Sequence, residues 1–212
     1  MVTDEQKRAR KDEIVSVFIS QYSRKPMAQI TMTTIAQELG CNRANLVPYY
    51  PTIMAIIADA WARKVSEFCD GLIADLNAEE SLDVDKYVDI VYRNYFVKSD
   101  VLRYFAVQAT LVENPEVKEI VLTHMGRHAH HTALHQELLS QKLGISMIKA
   151  EIILETIHFM ALGLHNSETV SVRLMPNVSD KAEEYVRRRY LRMTKNMVEM
   201  VIQESERFNN IS

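Results

Sequence analysis

Residues 31–50, TMTTIAQELGCNRANLVPYY, limit the possible folds more than any other part of the chain. Met32, Ile35, Ala36 and Leu39 recur at i, i+3, i+4 and i+7, the apolar face of a short helix. Thr31 is placed to cap its start, because a threonine hydroxyl accepts an unpaired backbone N–H of the first turn. Gly40 is placed to end it, since glycine takes a left-handed backbone without steric cost. Asn42 then caps a second helix carrying Arg43, Ala44, Asn45 and Leu46. Two short helices around a tight turn make a helix-turn-helix, whose second helix can enter a DNA major groove. An ordinary helical hairpin in a bundle satisfies the same pattern.

The flanks add a helix before this stretch and a long helix after it. With Thr31, Ile35, Ala36, Leu39, Gly40, Cys41, Asn42, Ala44, Leu46, Tyr49 and Tyr50 at their spacing, the arrangement resembles the TetR/AcrR-type transcriptional regulators. The close match covers roughly residues 10–65; beyond it the agreement is in length and helical character. The resemblance implies a bacterial or archaeal homodimer whose helical body binds a small-molecule effector. It also implies that the helix after the reader joins the two parts and moves when ligand binds.

Composition agrees with an all-α fold. The chain has 212 residues, 47% hydrophobic, and only five glycines and five prolines, so several long segments contain neither helix breaker. The net charge of −3 argues against a general polyanion binder. Residues 1–64 nevertheless hold nine Lys/Arg against six Asp/Glu, and the remainder sixteen against twenty-two. A basic end on an acidic body suits DNA contact at that end, and a solvated helix face gives the same count. Cys41 and Cys69 are too few for a disulfide framework or zinc motif. No secretory leader and no membrane-spanning run is evident, so we expect a soluble cytoplasmic protein.

In order, the pattern predicts helices over residues 3–22, 32–39, 42–50, 52–76, 82–97, 100–112, 116–142, 146–165 and 179–208. Ile14, Val15, Phe18, Ile19 and Tyr22 form the buried stripe of the first, behind Lys7, Arg8, Arg10 and Lys11, which could reach phosphates. Either Ser99 or Asp100 can cap the sixth helix, and Ser179 or Asp180 the last. Residues 166–178, with Asn166, Ser167 and Pro176, read as a loop. The expected architecture is an N-terminal three-helix helix-turn-helix unit plus a helical bundle, about nine helices in all. The domains are then 1–52 for DNA binding and 53–212 for ligand binding and dimerisation. Helices near 146–165 and 179–208 carry more apolar surface than one chain covers, so they are the expected homodimer face.

At the DNA-facing end the sequence departs from the resembling family. Val47 stands where the family commonly has Tyr, and Ile53 where it often has Lys, both usual phosphate contacts. Pro48 removes the partner of the Ala44 carbonyl and pushes Val47 from helical angles, which predicts a short or kinked reading helix. The expected DNA-binding residues are Thr33, Asn42, Arg43, Asn45, Tyr49 and Tyr50. Arg43 matches a guanine edge and Asn45 an adenine edge.

Five of the seven histidines lie between 124 and 135. His124, His128, His131 and His135 share one helical face with Val117, Val121 and Leu138, the seam turned to the core. Three uses remain open: histidines bonded to backbone or neighbours, a ligand pocket, and a metal site as the weakest. Seven residues of helix span roughly 10 Å, so one helix offers at most ligand pairs, and no partner motif is present. We place an effector pocket in residues 82–165, walled by Tyr92, Tyr95, Tyr104, Phe105, His124 and His128. No metal and no cofactor is expected. No nucleophile–base pair or phosphate loop points to an enzyme. The resulting expectation is a ligand-responsive regulator, a probable repressor, binding a double-stranded DNA operator and no membrane. The alternative is the same fold with a degenerate reading helix, serving as a protein-partner module.

Overall fold

The computed structural model describes residues 3–98, 100–174 and 179–204. No strand occurs among the described residues. Helices α1 to α9 are Asp4–Arg24, Met32–Glu38, Ile53–Ala78, Val84–Tyr92, Val101–Phe105, Gln108–Glu113, Lys118–Leu143, Met147–Leu174 and Ser179–Gln203. The fold is all-α, with an N-terminal helix-turn-helix unit and a helical body. It divides into two compact units, one within residues 1–66 and 107–127, the other within 67–106 and 128–212.

In the first unit, side chains from the next turn hold each helix start. The Gln6 N–H donates to Thr3 Oγ1 at 3.2 Å, and the Thr3 N–H returns a bond to Gln6 Oε1 at 3.0 Å. Thr31 and Thr34 repeat this reciprocal box at the start of α2. Ile14, Val15 and Phe18 are fully buried, as are Ile35 and Leu46. Gln21 tethers α1 to α2: its Nε2 donates to the Thr34 carbonyl at 3.0 Å and to Glu38 Oε2 at 2.8 Å. Gly40 ends α2 at a φ of +64°, and the Cys41 N–H closes back on the Ala36 carbonyl at 2.9 Å.

The second helix of the motif departs from expectation. Residues 42–50 form a single 3₁₀ turn, Arg43–Asn45, not an α-helix. Three bonds run to the third residue back, Asn45 N–H to the Asn42 carbonyl, Leu46 N–H to Arg43 and Tyr49 N–H to Leu46, and one to the fourth, Tyr50 N–H to Leu46. Pro48 has no N–H to give the Ala44 carbonyl, so the four-residue ladder is not continuous.

In the second unit, α4 and α8 both pack on α9. Tyr190 of α9 is fully buried, its ring 5.9 Å from Tyr92 and 4.7 Å from Phe96. The helix expected over 82–97 becomes a π-turn over Arg93–Val97. Buried Asn94 accounts for this, because its Nδ2 takes the Ile90 carbonyl at 2.9 Å and Asp75 at 2.7 Å. The helix expected over 100–112 breaks between Phe105 and Gln108. Ser99, Pro176 and residues beyond 204 lie outside the described residues. Residues 166–174 are helical rather than a loop, a correction. Asn and Ser cost a helix only about 0.5 kcal/mol each, too little to stop one running through Glu, Thr, Val and Leu.

Two glycines of the first unit should respond oppositely to alanine. Gly40→Ala forces a side chain into a left-handed backbone and should cost about 1–2 kcal/mol. Gly126 sits inside α7 with nothing within 4 Å of an added Cβ, so Gly126→Ala should gain about 0.5–1 kcal/mol. Urea unfolding curves of both variants check the pair of signs.

Candidate functional site

A cavity of about 230 Å³ opens within the second unit. One wall comes from α3, with Phe68, Cys69, Leu72 and Ile73, and another from α7, with His128, His131, Thr132 and His135. Tyr95 and Phe105 close one side, and α8 closes the other through Leu154, Ile157, His158 and Phe159. Phe105 meets two rings edge to face, His158 at 4.7 Å and Phe68 at 5.8 Å, and Phe68 and Tyr95 are tilted at 4.6 Å.

Each imidazole has one nitrogen engaged. Tyr95 Oη stands 3.1 Å from His158 Nδ1, and Cys69 Sγ 3.5 Å from His128 Nδ1. Tyr87 Oη lies 3.5 Å from His135 Nε2. His131 Nε2 meets Asp70 Oδ1 at 3.0 Å. Burial disfavours the imidazolium, which pushes His135 down to about 3 and His158 to about 4, the latter also through His128. Burial, with His131 nearby, lowers His128 too. The Cys69 thiol is pushed up to about 12 by burial and by Asp70. Burial thus holds Cys69 as the thiol, the less nucleophilic form. Among the described residues no three His, Cys, Asp or Glu side chains are grouped to hold a metal ion.

Of the residues expected in the pocket, Tyr95, Phe105 and His128 line it. The other three do not. Tyr92 packs on Phe96 and Tyr190. Tyr104 is buried to 1% exposure and is not part of this cavity's lining. His124 belongs to the other compact unit, where burial and Arg127 lower its pKa. Sequence reasoning missed the α3 wall and His158. An apolar run on a long helix signals only burial, and a lone histidine in an apolar helix signals nothing more.

The first unit carries an open polar cleft around its turn, lined by Arg10, Gln37, Gly40, Cys41, Asn42, Asn45 and Tyr49. Asn42 and Asn45 are exposed, and so are Thr33 and Arg43 outside the cleft. Asn45 Oδ1 accepts the Asn42 N–H at 3.1 Å, so half of its amide is committed to the turn. Arg10 Nη2 reaches Cys41 Sγ at 3.4 Å. Tyr50 is different: it is 3% exposed, its hydroxyl is bonded to Asp59, and Lys11 Nζ lies 5.0 Å from its ring centroid. It anchors the turn from below and offers DNA no surface.

The chain matches no family model. No curated protein matches it either. Among solved structures it is similar to the fatty acid degradation regulator FadR from Bacillus halodurans, at 14% identity. The alignment covers 93% of this chain and 96% of that one, with a TM-score of 0.54. At that identity the likeness establishes the helical fold. No helix among the described residues is long and apolar enough to cross a membrane.

The buried imidazoles set an acid limb for stability. Above about pH 6.5 the rings are neutral in both states and contribute no pH dependence. As pH falls from 6.5 towards 4, the unfolded chain binds protons that folded His135 and His158 refuse, so stability falls. Unfolding free energies measured across that window should decline less steeply in His135→Phe, by up to about 1.4 kcal/mol per pH unit.

Proposed function

We propose that the chain is a ligand-responsive, DNA-binding transcriptional regulator of TetR/AcrR type, acting as a soluble cytoplasmic homodimer and as a repressor. What carries the reading is one chain holding both a helix-turn-helix unit with an exposed polar turn and a helical body with a ring-lined cavity. Residues 1–52 would bind DNA and residues 53–212 ligand and partner. Arg43, Asn42, Thr33 and Tyr49 are the proposed DNA contacts, with Arg10 added from the cleft. Arg43 suits a guanine edge or a phosphate. Tyr95, Phe105 and His128, joined by His158 and Phe68, are the proposed ligand contacts. The FadR of Bacillus halodurans regulates fatty acid degradation, which supports regulation in general and not its ligand here. No catalytic role is proposed for any residue.

Dimerisation is proposed through α8 and α9. Phe159 is 68% exposed, Met200 57% and Met193 40%, apolar surface of the kind a two-fold contact covers. Met200→Glu should leave the fold intact and shift sedimentation to monomer; an unchanged dimer for Met200→Glu and Phe159→Glu alike would remove this face from the reading.

The second reading, a partner-binding module on the same fold, is favoured by one observation: the reading helix is a single 3₁₀ turn. Selection from random duplex DNA separates the two. Enrichment of a palindrome whose half-sites lie roughly 34 Å or a multiple apart supports the regulator. In that case Arg43→Ala and Tyr49→Ala should each weaken operator binding by about tenfold, or roughly 1.4 kcal/mol, with little change in melting temperature. No enrichment at moderate salt leaves the partner module.

A further inference from the structure

The cavity's wall is unusual in what it lacks. Sixteen residues line it, and none is lysine or arginine. Its cationic candidates are imidazoles, and burial keeps His128, His135 and His158 uncharged at neutral pH. Its negative groups stand at the wet edge: Glu155 is exposed, and the Asp70 side chain, 65% exposed, is already met by His131. Neither carboxylate is stripped of water, so neither attracts a cation strongly. A charged ligand would lose its hydration here and gain no counter-charge, a cost of several kcal/mol.

The same wall is rich in neutral hydrogen-bonding capacity. A neutral imidazole offers one donor and one acceptor. His128, His131 and His158 each use one nitrogen on Cys69, Asp70 and Tyr95, and the second nitrogen has no hydrogen-bond partner among the described residues. Around them Phe68 stands edge to face with Phe105 and tilted to Tyr95, a geometry in which a further ring finds both faces and edges to pack on. At about 230 Å³ the space falls below the range of drug-sized pockets.

We propose that this cavity takes a compact, uncharged, ring-bearing molecule with a hydroxyl or carbonyl group, anchored on His158, and excludes carboxylates. The proposal gives the chemical class of the effector and so rests on reading the cavity as the effector site. It also separates this chain from any regulator whose signal is a free acid, since the wall holds no lysine or arginine and His131 is already met by Asp70.

The test uses the full chain, calorimetry at pH 7.5, and three probes sharing one ring system: naphthol, naphthoate and naphthylmethylamine, with decanoate as an acyclic acid. Naphthol should bind at least tenfold tighter than the other three. Equal or tighter binding of any charged probe, or no binding by naphthol, overturns the proposal. His158→Phe keeps a ring but no hydrogen bond, so naphthol should lose about tenfold while naphthalene is unchanged. An unchanged naphthol affinity removes His158 as the anchor. Thr132→Lys adds a cation at an exposed position on the cavity edge, where folding tolerates it. It should raise naphthoate affinity at least tenfold, and no gain would show that the missing cation is not what excludes acids. DNA affinity is measured separately. Naphthol that binds without altering DNA affinity refutes the regulatory reading and leaves the ligand class standing, whereas DNA release by naphthoate refutes the class and leaves the regulation.

Discussion

A helical body that turns His128, His135 and His158 towards one cavity packs best while those three rings are neutral. Neutral imidazole is a flat, half-apolar group that satisfies itself with one neighbour, as His158 does on Tyr95 and His135 beside Tyr87. Imidazolium at these three positions needs a second acceptor and a counter-charge, and the Asp70 carboxylate is already met by His131. Burial therefore sets protonation, and protonation sets the chemistry of everything nearby. Cys69 is held as a thiol by the same exclusion of water, and the cavity holds no lysine or arginine although histidine is its commonest polar residue.

What could be read from sequence divides along the reach of the forces. Thr31 as a cap, Gly40 as a left-handed stop, and Ile14, Phe18 and Ile35 as core are consequences of neighbours within one helical turn, and all stand as expected. Gln21 and Asn94 were invisible, because their partners lie on other elements or, for Asn94, also a turn away in a ladder that regular periodicity assumes intact. The π-turn had a direct effect on the site. Tyr92 and Tyr95 are three residues apart and were expected on one wall. The widened turn between them accompanies their separation, Tyr92 against Tyr190 and Tyr95 into the cavity. The histidine stripe was legible as a face of α7, but a face says nothing about where along its length the space opens. His128, His131 and His135 meet the void, and His124 does not.

The turn after Gly40 shows how one residue can change a motif's use without removing it. Leu46 is fully buried and Tyr50 nearly so, so the turn keeps both anchors that fix a reading helix to its unit. Pro48 takes away the N–H that would bond the Ala44 carbonyl, and the exposed side chains of Arg43 and Asn45 then issue from a tighter, shorter scaffold. A 3₁₀ turn climbs about 2 Å per residue with side chains eclipsed every third position, so it presents fewer base-facing groups than an α-helix of equal length. In the proposed regulator Arg43 and Tyr49, with Arg10 from α1, would be left as the strong polar contacts, which suits phosphate-dominated binding with a short base-specific core.

The sizes of the two effects permit coupling between them. Regulatory coupling is typically 1–3 kcal/mol, about a 5- to 150-fold change in affinity. An uncharged ring that covers on the order of 100 Å² of apolar wall contributes about 2.5 kcal/mol. Part of that wall is Phe68, Cys69, Leu72 and Ile73 of α3, the helix that begins three residues after Tyr50. A ligand can shift DNA affinity only by the difference in its contacts between two placements of those side chains. If one placement let Phe68 and Leu72 close on the ring and the other left them dry, most of the apolar term would become coupling. A charged ligand would first have to repay its lost hydration in both placements, and that repayment carries no information from one state to the other. In the regulator proposed above, a neutral effector is thus what would let so small a cavity act as a switch.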